Sequence, residues 1–113
     1  MKAKEIAELL NGKIVGCQDS QEELTNAFSS DLMSDVLRLG GECSLLITGL
    51  CNIQTIRTAE MAEINTIILA RGKTADEEMV EHAVDNDITI IETEYSIFKT
   101  SGLLYTHGIK PMY

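Results

Sequence analysis

The sequence predicts an α/β protein with three layers, in which a largely parallel sheet of about 4–5 strands lies between helices. Three short apolar runs carry this prediction, and a helical pattern follows each of them: Ser44–Thr48, Thr66–Leu69 and Thr89–Ile91. Apolar runs that do not alternate with polar residues are typical of strands buried on both faces of a sheet. Because a helix separates each strand from the next, we expect parallel pairing through right-handed crossovers.

The N-terminal third predicts one helix and two short strands. Apolar residues recur at helical spacing from Ala3 to Leu10, and Gly12 is a natural stop. Short strands are expected at Lys13–Val15 and Thr25–Phe28. We expect this segment to extend one edge of the parallel sheet.

Side-chain caps are expected where the later helices begin. A polar residue that can accept a hydrogen bond from a free backbone N–H stabilises a helix start. The candidates, in chain order, are Ser30 or Asp31 for a helix that ends at Gly40-Gly41, then Asn52, then Thr74 with Glu77 as a capping box, and Thr93.

Length and composition predict a single cytoplasmic domain over residues 1–113. The net charge is −9, from 18 acidic and nine basic residues, and it argues against a nucleic-acid partner. No apolar run approaches the roughly 20 residues that span a bilayer, so no membrane partner is expected. The three cysteines form no CxxC pair and predict reduced, mostly buried thiols. A metal site is not expected, because neither histidine stands at ligand spacing from a cysteine pair.

A candidate site lies where the parallel strands end, because their loops converge at one edge of the sheet. Arg71 and Lys73 flank Gly72 just before an expected helix, so their charges and the backbone N–H groups would favour an anion. Arg57 could add a third positive charge. Neither the dinucleotide-binding nor the P-loop glycine pattern is present. An alternative reading is that the glycine serves the backbone and that both cations are simply solvated.

The segment Ser29–Asp35 is a second candidate, with three hydroxyls and two carboxylates that could bind a polar ligand or a cation. Helix capping is the alternative role for Ser30 and Asp31. The sequence gives no support for catalysis, because no cysteine shows a neighbouring base and no histidine is placed to serve a serine. We therefore expect a protein without enzymatic activity and without a cofactor.

Five blocks of the sequence, in order and spacing, are typical of one known family: Phe28–Leu37, Ser44–Leu50, Arg57–Met61, Arg71–Lys73 and Thr93–Phe98. Through these blocks the chain resembles the DRTGG domain family over nearly its whole length. The Asp-Arg-Thr-Gly-Gly signature itself is absent, and Ala70-Arg71-Gly72-Lys73 stands where members often carry Thr-Gly-Gly.

The resemblance implies an α/β fold similar to the N-terminal domains of HPr kinase/phosphorylase and of some Mur ligases. Members occur as regulatory modules beside CBS domains in pyrophosphatases, in fusions with phosphate acetyltransferases, and as accessory proteins encoded with iron-only hydrogenase components. Self-association and nucleotide sensing are the activities that the family suggests.

Two main hypotheses follow for this chain. The first is a non-catalytic regulatory or accessory domain that forms a homodimer and supports a protein partner, in a hydrogenase-related or phosphotransfer context. The second is a sensor of a nucleotide or another phosphate. A redox role through Cys43 or Cys51 is a third, minor alternative. The candidate dimer residues are Met33, Leu37, Leu50, Ile53 and Phe98, and the candidate ligand residues are Ser30, Asp31, Thr48, Gly49, Arg57, Arg71, Gly72, Lys73 and Thr93.

Overall fold

A computed structural model describes residues 1–113, apart from the burial of Gly40. Within these residues the strands are β1 (Lys13–Gly16), β2 (Asn26–Ser29), β3 (Leu45–Thr48), β4 (Thr66–Leu69), β5 (Thr89–Glu92) and β6 (Lys110–Pro111). The helices are α1 (Ala3–Leu9), α2 (Met33–Leu39), α3 (Ile53–Met61), α4 (Glu77–Asp85) and α5 (Ile97–Thr106), and a short 3-10 turn, Gly40–Glu42, follows α2.

The described strands form one six-stranded sheet in the order β1-β5-β4-β3-β2-β6. Every neighbouring pair is parallel except β1 and β5, which are antiparallel. All four residues of β3 and of β4 are buried, as the continuous apolar runs predicted. The three-layer α/β prediction is confirmed, with one more strand than the upper estimate because the two-residue β6 is too short to show a periodicity.

The sheet separates two apolar clusters, and successive strand residues contribute to opposite ones. On one face α2, α3 and α4 pack through Val36, Ile56 and Met79 against strand residues that include Ile67 and Ile90. On the other face α1 and α5 pack through Ile6 and Leu104 against the alternate strand residues Ile47, Ile68 and Ile91. Each of these fully buried side chains contributes about 1.5–3 kcal/mol to folding. The sheet is therefore held from both sides.

The two N-terminal strands lie toward opposite edges of the sheet, so the expectation that both would extend one edge was wrong. β1 pairs with β5 at one edge, whereas β2 lies between β3 and β6 near the other. The connecting residues 17–25 can extend roughly 30 Å, more than the roughly 20 Å that four strand spacings require. Leu24 of this loop is buried in the cluster beneath α1 and α5, which anchors the crossing.

The helix starts confirm one predicted cap and correct another. The Asn52 side chain accepts the Thr55 N–H at 3.2 Å at the start of α3. At α4, however, Asp76 is the cap, and its carboxylate accepts the Met79 N–H at 2.9 Å. Thr74 lies outside the helix. None of the described helices has the length and apolar character that a membrane crossing needs.

Candidate functional site

The loops that follow the parallel strands meet at one edge, where the Asp31 carboxylate joins two of them. Asp31 Oδ1 accepts the Gly49 N–H at 2.7 Å and the Thr48 hydroxyl at 2.9 Å. The Gly49 hydrogen bond, together with the Thr48 hydrogen bond and the positive charge of Arg71, lowers the pKa of Asp31 below its ordinary value despite partial burial. Four of the predicted site residues are thus brought together.

Arg71 packs directly over Gly49. Its Nη2 donates to the Gly49 carbonyl oxygen at 3.2 Å, and a Cβ on residue 49 would lie 2.5 Å from the guanidinium nitrogens. Arg71 itself has a left-handed φ of 65°, which is unusual for a residue with a side chain. Its N–H donates to the Tyr95 carbonyl at 2.8 Å, and this bond fixes the turn. The glycine at position 49 is what allows the arginine to lie there.

Thr93 ties the β5–α5 loop to the rest of this edge. It is 3% exposed, and its hydroxyl donates to the Leu10 carbonyl at 2.8 Å and accepts the Tyr95 N–H at 3.2 Å. Its carbonyl accepts the Gly72 N–H at 3.0 Å. Thr93 was predicted to cap α5, but Ser96 is the cap. The predicted site residues Gly72 and Thr93 therefore both make contacts within the protein.

The loop Arg71–Lys73 does not stand directly before a helix, which corrects the expected position of the helix start. Helix α4 begins only at Glu77, and the intervening Ala75 N–H donates to the Glu92 carboxylate at 2.7 Å. Asp76 caps the same helix start. The chain's own carboxylates thus occupy the positive end of the helix. An anion at this edge would have to rely on the exposed side chains rather than on the helix N-terminus.

A cleft of about 440 Å³ opens beside this loop, with Lys13 and Lys73 on its walls together with Glu92, Glu94 and Tyr95. The antiparallel strand β1 places Lys13 opposite Glu92, at the edge where the parallel strands end. Sequence reasoning missed Lys13 because nothing in so short a strand shows which direction it runs. The cleft walls carry mixed charge, with two lysines and two glutamates.

Ser30 and Arg57 lie apart from these contacts. The Ser30 hydroxyl accepts the Leu32 N–H at 3.0 Å, which shapes the turn ahead of α2. Asp31 faces the β3–α3 loop instead, so the two predicted caps have separate roles. Arg57 is exposed and lies about 6 Å along the helix axis from the start of α3. Among the described residues, no side-chain hydrogen bond or ion pair ties Arg57 to the loops of this edge.

The two candidate redox cysteines are poorly suited to act as nucleophiles. The Cys43 thiol is buried and donates to the Leu45 carbonyl at 2.9 Å, and burial raises its pKa. The Cys51 thiol donates to the Thr74 carbonyl at 3.1 Å. Its pKa is raised by burial first and then by neighbouring carboxylates. Since the thiolate is the reactive form, both environments disfavour nucleophilic chemistry.

The histidines have structural contacts at the surface. His82 Nε2 lies 2.9 Å from Glu60 Oε2 and joins α4 to α3, and His107 Nδ1 lies 2.8 Å from the Leu103 carbonyl at the end of α5. Within the described part of the chain, no group of three His, Cys, Asp or Glu side chains is placed to hold a metal ion.

The residues expected at a dimer surface do not form one exposed patch. Leu37 and Phe98 are 47% and 90% exposed, on α2 and α5 in opposite layers. The other three, Met33, Leu50 and Ile53, are half-buried. Tyr105 on α5 and Tyr113 are also exposed, at 68% and 79%, and the sequence did not indicate this.

Comparison with known proteins shows the fold. No family model and no curated protein matches the sequence. A solved structure with a TM-score of 0.74 contains the CBS and DRTGG domains of the regulatory region of Clostridium perfringens pyrophosphatase, complexed with its activator diadenosine tetraphosphate. The match covers 91% of this chain at 19% identity. This chain spans 45% of that structure, so the two share a fold over less than half of the larger chain. The described protein thus has, at a coarse level, a DRTGG-like fold.

Proposed function

We propose that this chain is a non-catalytic regulatory or accessory domain that self-associates and modulates a larger partner protein. The observation that carries the proposal is the fold, which it shares with the regulatory region of a pyrophosphatase over 91% of its length. The contacts at the carboxyl edge agree with it. Asp31, Thr48 and Thr93 use their polar atoms to hold the loops together, and burial raises the pKa of the Cys43 and Cys51 thiols, which disfavours their reactive thiolate form.

Self-association is supported by the exposed aromatic ring of Phe98 near the start of α5. Phe98 is one of the five aromatic residues of the chain, and it is 90% exposed. Covering such a ring contributes about 1.5–3 kcal/mol in each copy, so Phe98 would supply part of the free energy that association requires.

Pairing by strand addition at β6 is disfavoured. The N–H groups of Lys110 and Met112 point inward, donating to the carbonyls of Thr25 and Ala27 at 2.9 Å and 3.0 Å. The residue between them, at the position that would face a new strand, is Pro111, which has no N–H. A second copy would therefore not pair by adding a strand to β6.

Light scattering coupled to size-exclusion chromatography tests self-association. We expect the wild-type chain to elute as a dimer at micromolar concentration and Phe98→Ser to elute as a monomer. Met61→Ser is the matched control, because Met61 is 60% exposed but lies at the end of α3 in the other layer. A wild-type monomer at every concentration would contradict self-association, and dissociation by Met61→Ser would place the interface elsewhere.

A second candidate function is a sensor of a nucleotide or another phosphate at the carboxyl edge. Two features favour it. Arg71 and Lys73 are exposed, with Lys73 on the wall of a cleft of about 440 Å³. The pyrophosphatase region of similar fold is complexed with a dinucleotide activator.

A thermal-shift screen against diadenosine tetraphosphate, mononucleotides and pyrophosphate tests the sensor function. A ligand present at about 100 times its Kd adds roughly 2.7 kcal/mol. We expect Arg71→Ala with Lys73→Ala to abolish that shift, and the control pair Arg38→Ala with Lys4→Ala to keep it. Binding that survives the first pair would exclude this site.

A further inference from the structure

A groove outside the carboxyl-edge site runs between α5, β2 and the C-terminal segment. Its volume is about 340 Å³, and its apolar lining includes Ile47, Leu104 and Ile109, which are all buried. Phe28 and Tyr113 also belong to its lining, and their rings pair with centroids 5.7 Å apart and planes tilted by 46°, but the Phe28 side chain itself belongs to the cluster beneath α2, α3 and α4. Small-molecule sites typically measure about 300–1,000 Å³ and have this apolar character.

The polar groups of the groove are few and carry no negative side-chain charge. The hydroxyls of Ser29 and Ser101 lie 3.1 Å apart. Lys110 supplies one positive charge, and no Asp or Glu belongs to the lining, although the chain contains 18 acidic residues. A negatively charged group in the groove would therefore meet Lys110 and no acidic side chain of the lining.

We propose that this groove binds a planar aromatic small molecule that carries one negative charge. The apolar lining accepts the ring, the exposed ring of Tyr105 can stack on it, and Lys110 can pair with the charged substituent. A peptide strand cannot take this place by pairing with the sheet edge, because Pro111 offers no N–H there. This site is independent of Arg71 and Lys73 and of the self-association proposed through Phe98.

Three probes that share one ring system test both parts of the proposal: indole is neutral, indole-3-acetate is an anion and tryptamine is a cation. Each is titrated into ¹⁵N-labelled protein at about 150 mM salt while amide chemical shifts are recorded. We expect indole-3-acetate to shift the amides of Ser29, Ser101 and Tyr105. We expect it to bind at least threefold more tightly than tryptamine, as one partly screened charge pair allows.

Two variants assign the binding to the groove. Lys110→Gln should remove the threefold preference while leaving indole binding unchanged, and Ser101→Leu should fill the groove and reduce binding of all three probes at least tenfold. Ser34→Leu, at an exposed position of α2 in the opposite layer, is the matched control and should bind normally. If Ser101→Leu does not fold, the Lys110→Gln comparison still decides the charge preference.

Three results would overturn the proposal. One is a set of shifts scattered over the surface or confined to the loops around Arg71. Another is equal affinity for tryptamine and indole-3-acetate. The third is a change of the groove signals on simple dilution without any probe, because it would show that a second copy of the chain covers the groove.

Discussion

Replacing Asp31 with alanine removes the acceptor that two donors of the β3–α3 loop share. The Gly49 N–H and the Thr48 hydroxyl, which lie 2.7 Å and 2.9 Å from Asp31 Oδ1, both belong to buried residues. A hydrogen bond to a charged group is worth about 1.5–3 kcal/mol when it is protected from water. Since Asp31 itself is exposed and water can replace part of the interaction, we expect a loss of about 1–2 kcal/mol. In a chain of this size that lowers Tm by roughly 4–8 °C.

The pH dependence of that loss identifies the carboxylate as its source. The folded-state pKa of Asp31 lies below the ordinary value of 3.8. A carboxyl whose pKa is lower in the folded state contributes stability above its unfolded-state pKa and loses it as the pH falls through the folded-state value. The free-energy difference between wild type and Asp31→Ala should therefore be complete at neutral pH and shrink below about pH 4.

Urea unfolding followed by circular dichroism at pH 7 and at pH 3 measures both effects. Asp35→Ala is the matched control, because Asp35 makes only a surface ion pair with Arg38 at 3.1 Å, worth about 0.5 kcal/mol or less. An Asp31→Ala variant that unfolds like the Asp35→Ala variant at pH 7 would refute the reasoning. So would a difference from wild type that is equally large at both pH values.

Three further predictions test other contacts. Gly49→Ala should cost only about 1 kcal/mol of folding stability, because the flexible Arg71 side chain can swing away. Gly16→Ala should cost about 2 kcal/mol or more, since residue 16 has a φ of 76° and its Cβ would meet a backbone carbonyl oxygen at 2.7 Å. Urea unfolding of both variants measures this difference. Asp76→Ala should cost about 1 kcal/mol and Thr74→Ala close to nothing, which thermal unfolding distinguishes, and equal losses would argue against Asp76 as the cap of α4. Cys43 should react with a disulfide reagent only after unfolding, because burial protects the thiol and raises its pKa, and rapid labelling of the native protein would contradict that burial.

The parallel half of the fold was predictable because its signal is local. The runs at 45–48 and 66–69 are apolar without alternation, and in the structure every one of these residues is buried. Asn52 was likewise recognisable as a cap from its position before an apolar helical pattern. Such features depend on neighbours in sequence, which is why residue patterns indicate them.

The N-terminal strands and the site contacts were less predictable because they depend on distant partners. Residues 17–25 can reach either side of the sheet, so the position of β2 beside β3 is decided by packing and not by its own four residues. The contact of Asp31 with Gly49 joins residues from separate loops, and a carboxylate two residues before a helix looks the same whether it caps that helix or turns away. Lys13 reaches the cleft only because β1 is antiparallel.

Sedimentation velocity of the wild-type chain over a concentration series, with Phe98→Ser alongside, tests the proposed regulatory role most directly, since self-association is the behaviour on which that role depends. The proposal predicts that the wild-type sedimentation coefficient rises to the value of a dimer in the micromolar range while Phe98→Ser remains a monomer. A wild-type chain that sediments as a monomer throughout the series would contradict it.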